Sequence, residues 1–285
     1  MPRAERPAED RKPQRPERIM ESKIAKALKL EHSPVAMLWS DEKPEGATQF
    51  KPGCWGCVMF LLAVAAKGKP AVADVETFGC IGGGVGLGFG NQYDKFPGGI
   101  EHYVSSGNPE FCRSEAGRQI AEQMPDLVEG ERYVKNPEIA KQFFDGLPMT
   151  EVPTKYVVFK PVRQVTPDET IKVVTFFARP DQLSALIVLA NHARAGQVNV
   201  IAPFGAGCHQ TGIIPLKEEE SESPRAIIGL TDISARKNTM RMLGHDLLTF
   251  SVPLKMFIEM EENVEGSFLE RNSWREILEH QEDNC

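Results

Sequence analysis

Residues 171–204 constrain the fold most tightly. Ile171–Ala178 reads IKVVTFFA, a run of β-branched and aromatic residues of strand composition. Pro180 to Ala195 carries Leu183, Leu186, Ile187 and Ala190 at helical spacing, with Gly196 as a stop signal, and Val198–Phe204 is again strand-like. Strand, helix and strand at this spacing predict a βαβ unit with parallel strands. The fold class is therefore α/β or α+β: a mixed sheet with flanking helices. Tyr156–Phe159, Ala226–Leu230 and Leu247–Val252 add strands, and helices around Leu254–Glu262 and Phe268–His280 follow.

The first half is less regular. Ile24–Leu30 reads as a helix, Pro34–Trp39 as extended chain and Trp55–Lys67 as a buried helix ended by Gly68 and Pro70. Phe78–Gly99 reads as a Gly-rich loop, while Arg113–Met124 and Pro137–Phe144 read as exposed helices. A soft boundary at Leu147–Pro153 divides one globular domain, 19–285, into subhalves of about 19–150 and 151–285. Residues 1–18, polar and rich in Pro, Arg and Glu, predict a disordered leader with too little to bury. They lack the apolar stretch of a secretory signal, so the cytoplasm is the expected compartment. A net charge of −7 argues against a nucleic-acid partner, and no apolar run approaches membrane-spanning length.

That compartment bears on the six cysteines, because disulfides are rare there and clustered thiols more often bind metal. Cys54 and Cys57 form a C-x-x-C pair where Pro52-Gly53 turns into a helix, and free N–H groups favour thiolate there. Cys80 sits between Gly79 and the run Gly82-Gly83-Gly84. Cys208 follows Gly207, in a loop at the carboxyl end of a strand, where open parallel sheets build their sites. Glycine beside cysteine lets the main chain approach a cluster and aim N–H groups at sulfur. Cys54, Cys57, Cys80 and Cys208 are thus the expected ligands of an iron–sulfur cluster of 4Fe–4S type, at loops joining the two halves. Gly79, Gly82, Gly83 and Gly207 would shape its seat. Zinc is the rival, but structural zinc sites usually close with a second short-spaced pair. Cys112 and Cys285 read as small hydrophobes, with Cys112 the other candidate for fourth ligand.

Other motifs are absent. The glycines from Gly82 to Gly90 offer no G-x-G-x-x-G register, no phosphate-binding G-x-x-x-x-G-K-[ST] occurs, and Val58 follows Cys57 where a c-type haem needs His. The histidines form no metal-type pair. His209, beside Cys208, is the one expected near the site; Asp232 and Arg236, following a strand, are further candidates to orient or protonate a substrate.

Taken together, the segments around Cys57, Leu61, Leu62 and Gly68, then Cys80-x-Gly-Gly with Leu87-Gly88, then Tyr156-x-x-Phe159-x-Pro161, then Pro180 to Gly196, and finally Gly207-Cys208 resemble an uncharacterised family, domain of unknown function 169. The resemblance runs from about Ile19 to Glu262. Members are frequent in anaerobic bacteria and archaea, and it implies that cysteines matching Cys57, Cys80 and Cys208 recur, a setting that suits an oxygen-sensitive cluster. Members often carry Pro-Cys where this chain has Gly229-Leu-Thr-Asp232, which leaves Cys54 as this chain's substitute ligand.

Three functions follow. The first is an electron-transfer protein or subunit with four thiolate ligands and a redox partner protein. The second is an iron–sulfur enzyme with three thiolates and an open iron that meets a small molecule. The third is a zinc- or cluster-stabilised binding or sensor module. Homo-oligomerisation is left open by the sequence.

Overall fold

The computed structural model describes residues 21–282; the leader at 1–18 and Cys285 lie outside them. Its centre is a seven-stranded mixed sheet built from β1 (Val35–Ser40), β2 (Ala71–Ala73), β3 (Tyr156–Pro161), β4 (Ile171–Ala178), β5 (Val200–Ile201), β6 (Ala226–Gly229) and β7 (Leu248–Pro253), in the order β2-β3-β1-β4-β7-β6-β5. Both halves of the sequence contribute strands. All pairings are antiparallel except β5 with β6.

Alternation along the strands sends side chains to two cores. Ala36, Leu38, Val174, Phe176, Phe250 and Val252 face one side, against the Pro180–Asn191 and Leu254–Glu262 helices. Val35, Met37, Val173, Phe177, Val157 and Phe159 face the other, against the Val58–Ala66 helix. That helix is apolar on nearly every side, as a helix buried between layers must be. Gly68 at φ +102° ends it, a conformation glycine adopts without a steric penalty.

Several sequence expectations need correction. The Val58–Ala66 helix begins after Trp55, which is 71% exposed, with Cys57 as its N-cap. β4 and β5 run in the same direction, but β7 and β6 lie between them, so the expected βαβ unit is split. The adjacent parallel pair is instead β5 with β6. The strand expected over Val198–Phe204 is only Val200–Ile201. The run expected as a loop over Phe78–Gly99 contains a helix, Ile81–Leu87, with sequence IGGGVGL.

Contact explains that glycine helix better than propensity, which disfavours it. A Cβ added at Gly86 would lie 2.6 Å from the backbone carbonyl carbon of Cys208, and one at Gly212 would lie 2.0 Å from the Gly86 oxygen. The glycine helix and the short Gly207–Thr211 helix cross with their backbones touching. Between β2 and β3, residues 93–147 form a cover of short helices whose own core gathers Tyr93, Ile100, Leu147, Phe143 and Phe144. Among the described residues, no helix is long and apolar enough to cross a membrane.

Candidate functional site

Three cysteines from distant parts of the chain line one cavity of about 320 Å³: Cys57, Cys80 and Cys208. Each stands at the start of a helix. Cys57 caps the Val58–Ala66 helix, and the N–H groups of Met59 and Phe60 favour its thiolate. Cys80 caps the glycine helix, its sulfur accepting from the Gly83 N–H at 3.2 Å, with Gly82 N–H adding to the same effect. Cys208 sits in the first turn of Gly207–Thr211, and its thiol donates to the Gly82 carbonyl at 3.0 Å. Helix starts present unpaired N–H groups and the positive end of the macrodipole to these sulfurs.

Burial opposes that stabilisation. It pushes the Cys57 thiol up to about 12, the neighbouring Cys80 sulfur adding to the shift. Burial likewise raises Cys80, and raises Cys208 well above the ordinary thiol range. All three are therefore thiols in the metal-free protein at neutral pH, and a metal centre would have to displace their protons on binding.

The four sequence-predicted glycines surround this wall. Gly79, at φ +81°, passes the Gly56 carbonyl so closely that a Cβ would lie 2.2 Å from it, and Cys80 N–H bonds the same oxygen at 3.0 Å. Gly82 lines the cavity, Gly83 donates to Cys80, and Gly207 packs against Met59 and Ala235.

Cys208 and Asp232 follow the carboxyl ends of the parallel neighbours β5 and β6. Gln210, fully buried, ties the two loops by donating to the Pro203 carbonyl and Thr231 Oγ1, both at 2.8 Å. Asp232 lines the cavity as the N-cap of the Ile233–Leu243 helix. Its Oδ1 accepts from Ser234 N–H and Oγ and from Ala235 N–H, and its Oδ2 from Gly207 N–H at 3.3 Å, so it fixes the Cys208 turn. Arg236 departs from expectation. It does not line the cavity; its guanidinium donates to the Leu247 and His245 carbonyls and braces the end of its own helix. Cys54 is exposed and also stands off the cavity wall, and Cys112 is buried in the Pro109–Arg113 helix away from it.

His209 is where the sequence put it, and its tautomer follows from its partners. The Ala206 N–H points at Nδ1 from 3.2 Å, so Nδ1 is the acceptor and Nε2 carries the hydrogen. Burial lowers its pKa to about 4, which keeps the ring neutral. Nε2–H therefore donates to the Tyr93 hydroxyl oxygen at 2.7 Å. The Tyr93 O–H proton is left without an acceptor among the described residues. Tyr93 is only 8% exposed, lines the cavity and stands beside Gly82.

Tyr93 and Glu131 are functional candidates that sequence reasoning missed. Glu131 enters the cavity from the cover, on a loop where Gly130 and Arg132 both have positive φ, +73° and +58°. N–H groups of residues 131–133 bond the carbonyls of Tyr103, Ser105 and Val104, which pins the loop. A non-glycine residue in that region costs about 1–2 kcal/mol. Leu230, two residues before Asp232, is likewise left-handed at φ +60°. Strain of this kind collects at functional sites.

Burial, then the charges of Asp232 and Asp126, raise Glu131 to about 7, with hydrogen bonds from Ser234 and Tyr133 pulling back. A carboxyl raised on folding contributes its full stability below about pH 4.5 and loses it as the pH rises through about 7. Glu131→Gln is thus expected to raise the melting temperature above pH 7 and leave it unchanged below pH 4.5. Equal melting temperatures across that range would show that Glu131 is not held at an electrostatic cost.

Among the described residues, no three Cys, His, Asp or Glu side chains are grouped tightly enough to hold a single metal ion. Tetrahedral zinc with bonds of about 2.3 Å requires sulfurs within about 4 Å of one another. A cluster that offers a different iron to each thiolate spans more widely. An iron–sulfur cluster, were one bound here, would be held by Cys57, Cys80 and Cys208, which line one wall.

A family model described as an uncharacterised ArCR family, domain of unknown function 169, matches residues 23–263. No curated protein and no solved structure matches the chain.

Proposed function

The chain belongs to the family domain of unknown function 169, and from that premise we propose that it is an iron–sulfur protein with three thiolate ligands and an open iron facing a substrate cavity. The observation that carries this reading is the convergence of Cys57, Cys80 and Cys208, and of no other cysteine among the described residues, on one cavity wall. Beyond that wall the cavity continues among aromatic side chains, enough space for a small molecule. When bound, the cluster supplies redox or Lewis-acid chemistry at its open iron. The chain's own residues orient the bound molecule and, through the Tyr93 hydroxyl, offer it a hydrogen bond. His209 holds that hydroxyl in place, and burial beside the Cys208 and Cys80 sulfurs keeps it protonated, its pKa well above the ordinary phenol range.

The pure electron-carrier form of the reading needs four thiolates, and it loses ground because Cys54 points to solvent. A protein partner would still be needed to deliver electrons. A structural zinc would need three or four ligands grouped tightly round one ion, and the described residues offer no such group.

Protein purified without oxygen is expected to be brown, to contain iron and acid-labile sulfide, and to bleach on exposure to air. Electron paramagnetic resonance of the reduced sample should report one cluster per chain. Colourless protein with stoichiometric zinc and no sulfide would sink the reading.

A further inference from the structure

We propose that the cavity receives a small organic cation, a protonated or quaternary amine, whose charge is met by Glu131 and by the aromatic rings of the cover. This names the substrate class of the site just described and rests on that reading for the cavity's role.

Charge distribution is the first argument. Among the described residues no Lys or Arg lines the cavity, whereas Glu131 and Asp232 both do. The arginine beside each carboxylate is turned away. Arg132 reaches Glu129 at 3.3 Å on the exposed surface, and Arg236 is spent on backbone carbonyls. A carboxylate or phosphate ligand would therefore enter without a cationic side chain to meet it, next to two acidic side chains. Burying an unpaired anion there is costly, whereas a cation supplies the charge that Glu131 lacks.

The shape and chemistry of the wall give the second argument. Trp55, Phe96, Tyr103, Tyr133 and Phe204 contribute rings to the cavity. Faces of such rings attract ammonium groups, and more strongly when water is excluded. One more polar feature is independent of the acidic pair. The Tyr93 hydroxyl, more than nine-tenths buried, has accepted from His209 and keeps its own proton to donate. The fitting ligand thus carries positive charge and also a hydrogen-bond acceptor.

Choline, its uncharged carbon isostere neohexyl alcohol, and the anion tert-butylacetate form a test set of one shape and three charges. Iron and sulfide are measured first on anaerobically purified protein, and binding of each probe to that same protein is followed by calorimetry. Choline is expected to bind about tenfold or more tightly than the alcohol, with no binding of the anion. Glu131→Gln should erase the preference for choline while leaving the alcohol's affinity unchanged. Equal or tighter binding of the alcohol or the anion, no binding of choline, or a choline preference that survives Glu131→Gln would overturn the proposal. Choline preference in protein without iron would sink the cluster reading alone, and iron without that preference would sink only the cation.

Discussion

Serine in place of Cys57, Cys80 or Cys208 is expected to strip the protein of iron or to convert its cluster, and to lower its melting temperature when it is purified without oxygen. Each of these thiols lines the cavity wall, Cys57 and Cys80 with backbone N–H groups directed at their sulfurs and Cys208 buried against the Gly82 carbonyl. Metal binding to such a site is also folding free energy, so losing one ligand weakens both. Serine at Cys54 is expected to leave iron and sulfide contents unchanged, because that thiol is exposed and off the wall. Serine at Cys112 should do the same. Iron and sulfide assays beside thermal melts decide the matter. Full iron content in Cys208→Ser would show that the centre belongs to the first half of the chain alone. Loss of the cluster in Cys54→Ser would restore the electron-carrier form, with that thiol turning inward on binding.

The other large effect involves no chemistry at the thiols. Alanine at Gly86 or Gly212 is expected to destabilise the protein by about 3 kcal/mol or more. Each new methyl would be driven into backbone, at 2.6 Å and 2.0 Å respectively, and no rotamer change can relieve a clash between main chains. For a chain of this size that is a fall of about 6 °C or more in melting temperature. Alanine at Gly196 is the control. It meets nothing within 4 Å and pays only for φ +92°, a cost of about 1–2 kcal/mol. If Gly86→Ala melted like Gly196→Ala, the two helices would not be in backbone contact. The same pair of variants should also lose iron, since the crossing sets where Cys80 stands relative to Cys208.

Local signals made part of this structure legible. β4 matches its expected bounds, Ile171–Ala178, because a continuous β-branched and aromatic run fits a strand buried on both faces. The Leu254–Glu262 helix was equally plain. Sheet order was not, since nothing near Val200 announces that β7 and β6 will separate it from β4. The glycine run misled for a physical reason. Seven residues with four glycines have poor intrinsic helicity, and only a partner backbone lying against them makes the helix favourable. At the site, the convergence of Cys57, Cys80 and Cys208 was legible through the glycines near them and His209 through adjacency to Cys208, whereas Cys54, named from the C-x-x-C pair, stands exposed and off the wall. Asp232 was found in a candidate's place but acts as a cap. Arg236 failed because an arginine after a strand is as useful for bracing carbonyls as for facing a cleft. Tyr93 and Glu131 gave no signal: each is a lone polar residue in an irregular segment, and it reaches the cavity only once the cover has folded.

The cover has one more consequence, which concerns divergence. It leaves the sheet after β2 and returns at β3, and those two strands are antiparallel neighbours. A long excursion between paired strands is topologically a hairpin loop, and such loops tolerate replacement without altering the framework that holds them. Cys57 and Cys208 lie outside this excursion and Cys80 lies just inside its start, whereas Tyr103, Glu131 and Tyr133 belong wholly to it. Selection can therefore remodel what the cavity accepts while leaving the three-cysteine framework alone. Lineages sharing this framework are free to keep one set of thiols and to exchange the molecules that meet it.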